Sequence, residues 1–280
     1  RDIMETSHSV IIGDSRKSLS ELPDKSVQLV FTSPPYWNIK DYENPNQIGL
    51  GQSYNDYIED LANIWKESLR VLSPGCKLVV NVGDQFIRAS ENNGVYEILP
   101  IHSDITRTCQ EMGFTFLGNI IWRKITTTKT TGGGAWMGSI YFPRDGYITY
   151  EHEYILIFKK KGKSPKVTPE QKLESKLPKE FRSKWFRGIW DDIQGERQAE
   201  HKAMFPLELP ERIIRMFTYA GETVLDPFMG SGTTAQAAFL HKRNSIGIEL
   251  NERYAQLGQK RVENMKFIRH TDKSYAEKSA

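Results

Sequence analysis

Asp226-Pro-Phe-Met-Gly-Ser-Gly-Thr-Thr234 is the stretch that decides how this chain folds. It follows the apolar run Thr223-Val-Leu225 and precedes Ala235-Gln-Ala-Ala-Phe-Leu240, which is rich in helix formers. That order reads as strand, Gly-rich turn, helix. Gly230 and Gly232 allow backbone angles that other residues resist, and they remove side chains that would block a ligand. The helix N-terminus that follows points free N–H groups into the turn. Asp226 closes the strand, where ligands of open α/β sheets bind. The next strand, Ser245-Ile-Gly-Ile-Glu249, ends in an acid about twenty residues on, the spacing at which a carboxylate grips a ribose diol. Turn and acid together point to an adenosine-containing ligand. The turn alone does not separate a dinucleotide from another adenosine compound, and the plain alternative is a tight turn with a surface glutamate.

The chain's 280 residues are enough for one large domain or two small ones with a sizeable core. No apolar run approaches the length of a membrane span. Arg1-Asp-Ile-Met-Glu5 has no signal-peptide character, so a cytoplasmic location is the default expectation. The two cysteines, Cys76 and Cys109, form no C-x-x-C, and no H-E-x-x-H occurs, so neither a disulfide framework nor a zinc site is expected.

The second informative stretch is Thr32-Ser-Pro-Pro-Tyr-Trp37, directly after the strand Val27-Gln-Leu-Val-Phe31. Two successive prolines fix two φ angles and remove two N–H donors. The backbone is therefore stiff and presents carbonyls. Ser33 adds a hydroxyl, and Tyr36 and Trp37 add flat rings. Such a set suits a planar, amino-bearing ring; it also reads as a Pro-rich strand exit with its aromatics in the core. Ser9-Val-Ile-Ile12 is a further strand, closed by Gly13-Asp14. Asp14 reads both as an N-cap for the segment from Ser15 and as a ligand contact.

Ser33-Pro-Pro-Tyr36 after a strand, with Asp226-Pro-Phe-Met-Gly-Ser-Gly-Thr-Thr234 near the C-terminus, resembles the S-adenosylmethionine-dependent DNA amino-methyltransferases of restriction–modification systems. The catalytic motif precedes the cofactor turn, as in the permuted β class. The resemblance covers nearly the whole chain. It implies a doubly wound, mostly parallel Rossmann-like α/β sheet. It implies that Asp226, Pro227, Phe228, Gly230, Ser231, Gly232, Thr233 and Thr234 hold S-adenosyl-L-methionine, that Glu249 holds its ribose, and that Asp14 approaches the adenine. Glu200 to Pro210 resembles the family segment that lines the methionine end, which assigns Phe205 and Pro206 to the cofactor; Lys202 stands where proline is common. Ser33, Pro34, Pro35 and Tyr36 become the catalytic set. Family members with serine at the first position are mostly cytosine-N4 enzymes, and those with aspartate mostly adenine-N6 enzymes. The implied partner is double-stranded DNA. A homodimer and a cognate restriction endonuclease are compatible with the family.

The remaining chain reads in order. Asn38 to Gln52 is loop-like. Tyr54 to Leu72 has helical apolar spacing, ended by Ser73-Pro-Gly75, and Lys77 to Val82 is a buried strand. Residues 97–112 read as a helix. Phe114–Trp122 and Thr149–Phe158, with no helix between them, predict an antiparallel hairpin at one edge of the sheet. Thr126 to Gly146 is a Thr/Gly-rich loop carrying Lys129 and Arg144. His152 reads as a structural histidine. Lys159 to Arg187 holds eleven Lys or Arg against three acids, a net of +8, interleaved with Phe181, Trp185 and Phe186. Charge and rings together suit nucleic acid; a solvated linker is the alternative. The expected organisation is one catalytic domain over residues 1–280 with a DNA-recognition insertion at about 160–200. Trp37, Lys124, Arg182, Lys184 and Arg187 are the candidate DNA contacts. A final helix is expected from about Asn251 to Asn264, with a frayed tail after His270.

The methyl acceptor implied is an exocyclic amino nitrogen. N4 of cytosine, N6 of adenine, an RNA base or amide, and a non-catalytic DNA-binding module are the readings carried forward.

Overall fold

The computed structural model describes residues 5–38, 41, 43–124, 144, 148, 151–193 and 205–278, with side chains to residue 265. Its strands are β1 (His8–Ile12), β2 (Val27–Thr32), β3 (Leu72–Val82), β4 (Gln85–Ile87), β5 (Glu97–Leu99), β6 (Thr115–Arg123), β7 (His152–Lys159), β8 (Ile189–Trp190), β9 (Thr223–Asp226) and β10 (Asn244–Glu249). Its α-helices are α1 (Ser15–Ser18), α2 (Tyr54–Val71), α3 (Ile101–Glu111), α4 (Pro169–Glu174), α5 (Lys179–Trp185), α6 (Glu208–Phe217), α7 (Thr233–Leu240) and α8 (Glu252–Lys278). No helix among the described residues is long and apolar enough to cross a membrane.

The main sheet runs β1-β10-β9-β2-β3-β7-β6-β8. The first five of these strands are mutually parallel. β7 is antiparallel to both β3 and β6, and the two-residue β8 adds in parallel outside β6. The fold is thus the expected mostly parallel α/β sheet with an antiparallel hairpin, finished by β8. Short β4 and β5 pair separately.

Central strands bury both faces, as parallel strands between helices must. Val27, Val30, Leu78 and Val80 pack under α2 and α3, against Tyr57, Leu61, Trp65, Ile105 and Cys109. Leu29, Phe31 and Val79 face the opposite core, under Leu209, Ile213 and Ile214 of α6 and Ala237 and Ala238 of α7. Each Val, Leu, Ile or Phe among them, fully buried, contributes about 1.5–3 kcal/mol. Because successive residues of a strand alternate faces, β2 feeds both layers and its C-terminal end emerges between them.

Several expectations change. Ser73-Pro-Gly75 does not separate helix from strand; α2 passes directly into β3. Gly75 takes a left-handed φ of +76°, where an added Cβ would strike the Ser164 backbone. The register between β2 and β3 shifts there. The helix predicted over 97–112 begins at Ile101, because Pro100 precedes it and residues 97–99 are paired in β5. α8 continues to Lys278 instead of fraying after His270. The Lys159–Arg187 segment is not a linker: α4 carries a full capping box between Thr168 and Gln171. Trp185, with Trp190 and Ile193 just beyond it, joins the core under α6. Lys129 and Glu200–Met204 lie outside the described residues, as does all of Thr126–Gly146 except the exposed Arg144.

Candidate active site

The Gly-rich stretch closes β9 and opens α7, as its sequence predicts. Asp226 lies beneath the turn, fully enclosed. One of its oxygens accepts from Thr32 Oγ1 at 2.6 Å and Phe228 N at 3.0 Å, and the other from Thr234 Oγ1 at 2.7 Å. Burial pushes its carboxyl above the usual range, and these three bonds oppose that shift. The side chains of Asp226 and Thr234 are therefore spent internally: they tie the turn to the end of β2. Ser231 and Thr233 are also buried, and Arg261 of α8 donates to Thr233 Oγ1 at 3.2 Å. Met229 fills the space left by Gly247 and Gly258, where an added Cβ would come within 2.1 Å of its Sδ or 2.5 Å of its Cε. Pro227 is buried, and its carbonyl accepts from Ser15 Oγ.

The ligand-facing surface is left to few groups. Gly230 adopts φ +55°, and a Cβ on it would meet nothing within 4 Å. Gly232, at φ +87°, is needed for a different reason: its Cβ would fall 3.0 Å from Gly258 Cα, so it lets α7 pack on α8. Glu249, half-buried at the end of β10, accepts from Gly230 N and Asn251 N, both at 2.8 Å. Burial raises its pKa despite those bonds. Phe228 is half-buried on the same rim. Asp14 caps α1, accepting from Arg16 N at 3.0 Å. Burial alone would raise its pKa, but the hydrogen bonds and charge of Arg16 prevail and hold it below the ordinary carboxylate range. Arg16 reaches on to Asp60 at 2.7 Å and to the Asn46 carbonyl, fastening the loop after the second motif. Phe205 packs on Phe31 with ring centroids 5.5 Å apart, and Pro206 is buried at the start of α6.

The second motif leaves β2 beside this turn, because the Thr32–Asp226 bond joins the two strand ends. Pro34 is buried, while Ser33, Pro35 and Tyr36 are half-buried. The Pro35 carbonyl accepts from Tyr57 Oη at 2.9 Å. Tyr36 Oη donates to Glu153 Oε1 at 3.1 Å. Trp37 packs edge-on against Tyr54 and donates to the Gln52 carbonyl at 2.9 Å. Glu153 was not singled out from the sequence, where the neighbouring His152 drew attention instead. The signal was an acid in the apolar strand Tyr154-Ile-Leu-Ile-Phe158 and its preceding residues. His152 itself stands edge-on to Tyr154.

The candidate DNA contacts divide. Arg182 and Arg187 are exposed; Arg182 lies over the Phe186 ring. Lys184 is also exposed but pairs with Asp192 at 2.7 Å. Asp192 in turn holds the buried Arg212, whose guanidinium lies over the rings of Trp185 and Trp190, 5.8 and 5.1 Å from their centroids. Lys124 pairs with Glu153 and so belongs to the surroundings of Tyr36.

The N6/N4 DNA methylase family matches residues 27–260. The Type II methyltransferase M.MjaI of Methanocaldococcus jannaschii is 39% identical over 278 residues, covering 88% of each chain. M.MthZI of Methanothermobacter thermautotrophicus, also a Type II methyltransferase, is 37% identical and covers 92% of this chain and 77% of its own. The structure of TTHA0409 from Thermus thermophilus, complexed with S-adenosyl-L-methionine, superposes with a TM-score of 0.76 at 40% identity, covering 92% and 93% of the two chains. The residues present fit that cofactor: the turn is open above Gly230, and a carboxylate stands at its rim in Glu249.

Proposed function

We propose that this chain, which belongs to the DNA methylase family and uses S-adenosyl-L-methionine, methylates the exocyclic N4 nitrogen of cytosine within a short site of duplex DNA. The observation that carries the choice is Ser33 at the head of a rigid Ser-Pro-Pro-Tyr exit, bonded through Thr32 to the base of the cofactor turn. Serine at this place mostly accompanies cytosine in the family the motif resembles.

When bound, the cofactor supplies an electrophilic methyl group on its sulfonium. The chain has then to present a nitrogen whose lone pair is delocalised into the base ring. Ser33 Oγ and the Pro34 carbonyl accept the two amino N–H bonds. That favours a pyramidal nitrogen with its lone pair directed at the methyl. Tyr36 stacks on the base once it is extruded from the duplex. Positioning and electrostatics carry the rate, without a covalent intermediate. The thiols agree with this. Burial pushes Cys76 up to about 11 and raises Cys109 further, so neither is an activated nucleophile for a ring-carbon route.

Arg182 and Arg187, with Lys184, supply phosphate contacts from the basic segment, and Lys124 and Trp37 do so beside the site. The segment from about 160 to 200 is thereby the recognition part of one catalytic domain. The Type II methyltransferase relatives extend the proposal to a restriction–modification setting with an endonuclease that shares the site. Adenine-N6 transfer is the alternative supported by the same machinery.

Incubation of unmodified DNA with enzyme and labelled cofactor, followed by digestion and mass spectrometry of the nucleosides, tests the reading. N4-methylcytosine is expected. Label in N6-methyladenine gives the function to the alternative. Label in 5-methylcytosine overturns the mechanism, because Ser33 and Pro34 would have no amino group to orient.

A further inference from the structure

Tyr36 is held at both ends. Its backbone follows two prolines, and the Pro35 carbonyl is fixed by Tyr57 Oη at 2.9 Å. Its hydroxyl is fixed by Glu153 at 3.1 Å. Glu153 lies on β7, across β3 from the motif. β7 runs antiparallel to β3 with Ile155 opposite Asn81, and Glu153 shares the face of Ile155. The Glu153 side chain is buried and receives two further groups: Asn81 Nδ2 at 2.8 Å and the Lys124 ammonium. Gly83 leaves the space it needs, since a Cβ there would come within 3.3 Å of Glu153 Cγ.

Asn81 shows what this arrangement costs. Its amide must turn its NH₂ toward the acceptor-only carboxylate. Its Oδ1 is then buried with no hydrogen-bond partner among the described residues. A buried carbonyl oxygen without a partner is unfavourable. The sequence keeps one beside the proposed catalytic motif, in the service of Glu153. A buried carboxylate reached by a hydroxyl, an amide and an ammonium is more than core packing requires.

We infer that Glu153 is a positioning residue of the reaction: it anchors the Tyr36 hydroxyl and so sets the plane on which the extruded base stacks. The inference rests on the proposed stacking role of Tyr36. Asn81 and Lys124 hold the carboxylate, the carboxylate holds the ring, and the ring orients the base toward Ser33 and Pro34. Lys124 acts here through Glu153, whatever further contact it makes with DNA.

Steady-state methylation of unmodified bacterial genomic DNA, with calorimetric titration of S-adenosyl-L-methionine and a melting curve for each variant, separates the outcomes. Glu153→Ala is expected to lower kcat about 10- to 100-fold, the scale of a misplaced reacting group, with cofactor affinity unchanged. Glu153→Gln keeps the volume and an acceptor for Tyr36 and should recover most of the rate. Tyr36→Phe removes the same tether from the other side and should match Glu153→Ala. The double variant should be no slower than the slower single, because both changes break one linkage. Losses that multiply in the double variant overturn the inference, as does wild-type kcat in Tyr36→Phe. If Glu153→Ala does not fold, Glu153→Met, which keeps most of the volume and removes the acceptor, takes its place in the same cycle with Tyr36→Phe. A wild-type enzyme that marks a different nucleoside refutes the proposed acceptor and leaves the Glu153–Tyr36 coupling to be judged by the cycle.

Discussion

Replacing Asp226 separates a structural from a ligand-binding role for the Gly-rich turn. The carboxylate receives three donors, Thr32 Oγ1, Thr234 Oγ1 and Phe228 N, at 2.6, 2.7 and 3.0 Å. Asp226→Ala strands all three in the core. Hydrogen bonds to charged groups are worth about 1.5–3 kcal/mol each, but the hydroxyls can turn and the cavity can admit water. A net loss of about 3–5 kcal/mol follows. For a chain of this size that lowers the melting temperature by roughly 6–20 °C. Asp226→Asn keeps the shape, accepts from Thr32 and Phe228, and donates to Thr234, so its cost is about 1–2 kcal/mol. It also removes a charge that burial already disfavours. Differential scanning calorimetry gives the stabilities, and isothermal titration with S-adenosyl-L-methionine gives the affinities. The asparagine variant should bind the cofactor nearly as wild type. A near-wild-type melting temperature combined with lost cofactor affinity would refute the reasoning, because Asp226 would then have to touch the ligand.

Three other changes test separate parts of the structure. Ser33→Ala should cut turnover about 10- to 1000-fold with little change in cofactor affinity, and unchanged single-turnover rates would remove Ser33 from the mechanism. Arg182→Glu with Arg187→Glu should weaken DNA binding and lower its salt slope by about 1 per lost phosphate contact; a constant slope would place the segment off the DNA backbone. Arg212→Met should destabilise by about 1–3 kcal/mol, since it removes the guanidinium bonds to Asp192 and Glu208 and leaves Asp192 to Lys184 alone. It should also flatten the acid limb of the stability curve. The Arg212 hydrogen bonds hold Asp192 well below its ordinary value of 3.8, so their contribution is present above that value and lost as pH falls through the folded one. Parallel unfolding curves between about pH 2 and 6 for the two proteins would contradict this.

What the sequence displayed was local. The strand–turn–helix at Asp226 to Thr234, the proline-stiffened exit after β2 and the helical spacing of α2 depend on neighbours a few residues apart, and each stands where its pattern put it. What it concealed were partnerships between distant residues. Asp226 looked like a ligand contact because it ends a strand. Its occupation by Thr32, 194 residues away, needed the fold. The Glu153–Tyr36 bond spans 117 residues and joins a strand acid to a motif tyrosine that nothing local connects. The basic segment shows the same limit from the other side. Its charge and rings suit nucleic acid, with a solvated linker as the alternative, but neither reading tells that Trp185 is buried under α6. There its ring, with that of Trp190, faces Arg212, whose own partners are Asp192 just beyond β8 and Glu208 of α6. Composition counts charges without saying which of them a partner has already claimed. Lys184 and Lys124 are claimed, by Asp192 and Glu153. Engaging a phosphate would cost either lysine its ion pair. Arg182 and Arg187, exposed on the same segment as Lys184, are therefore the better places to look for DNA contact.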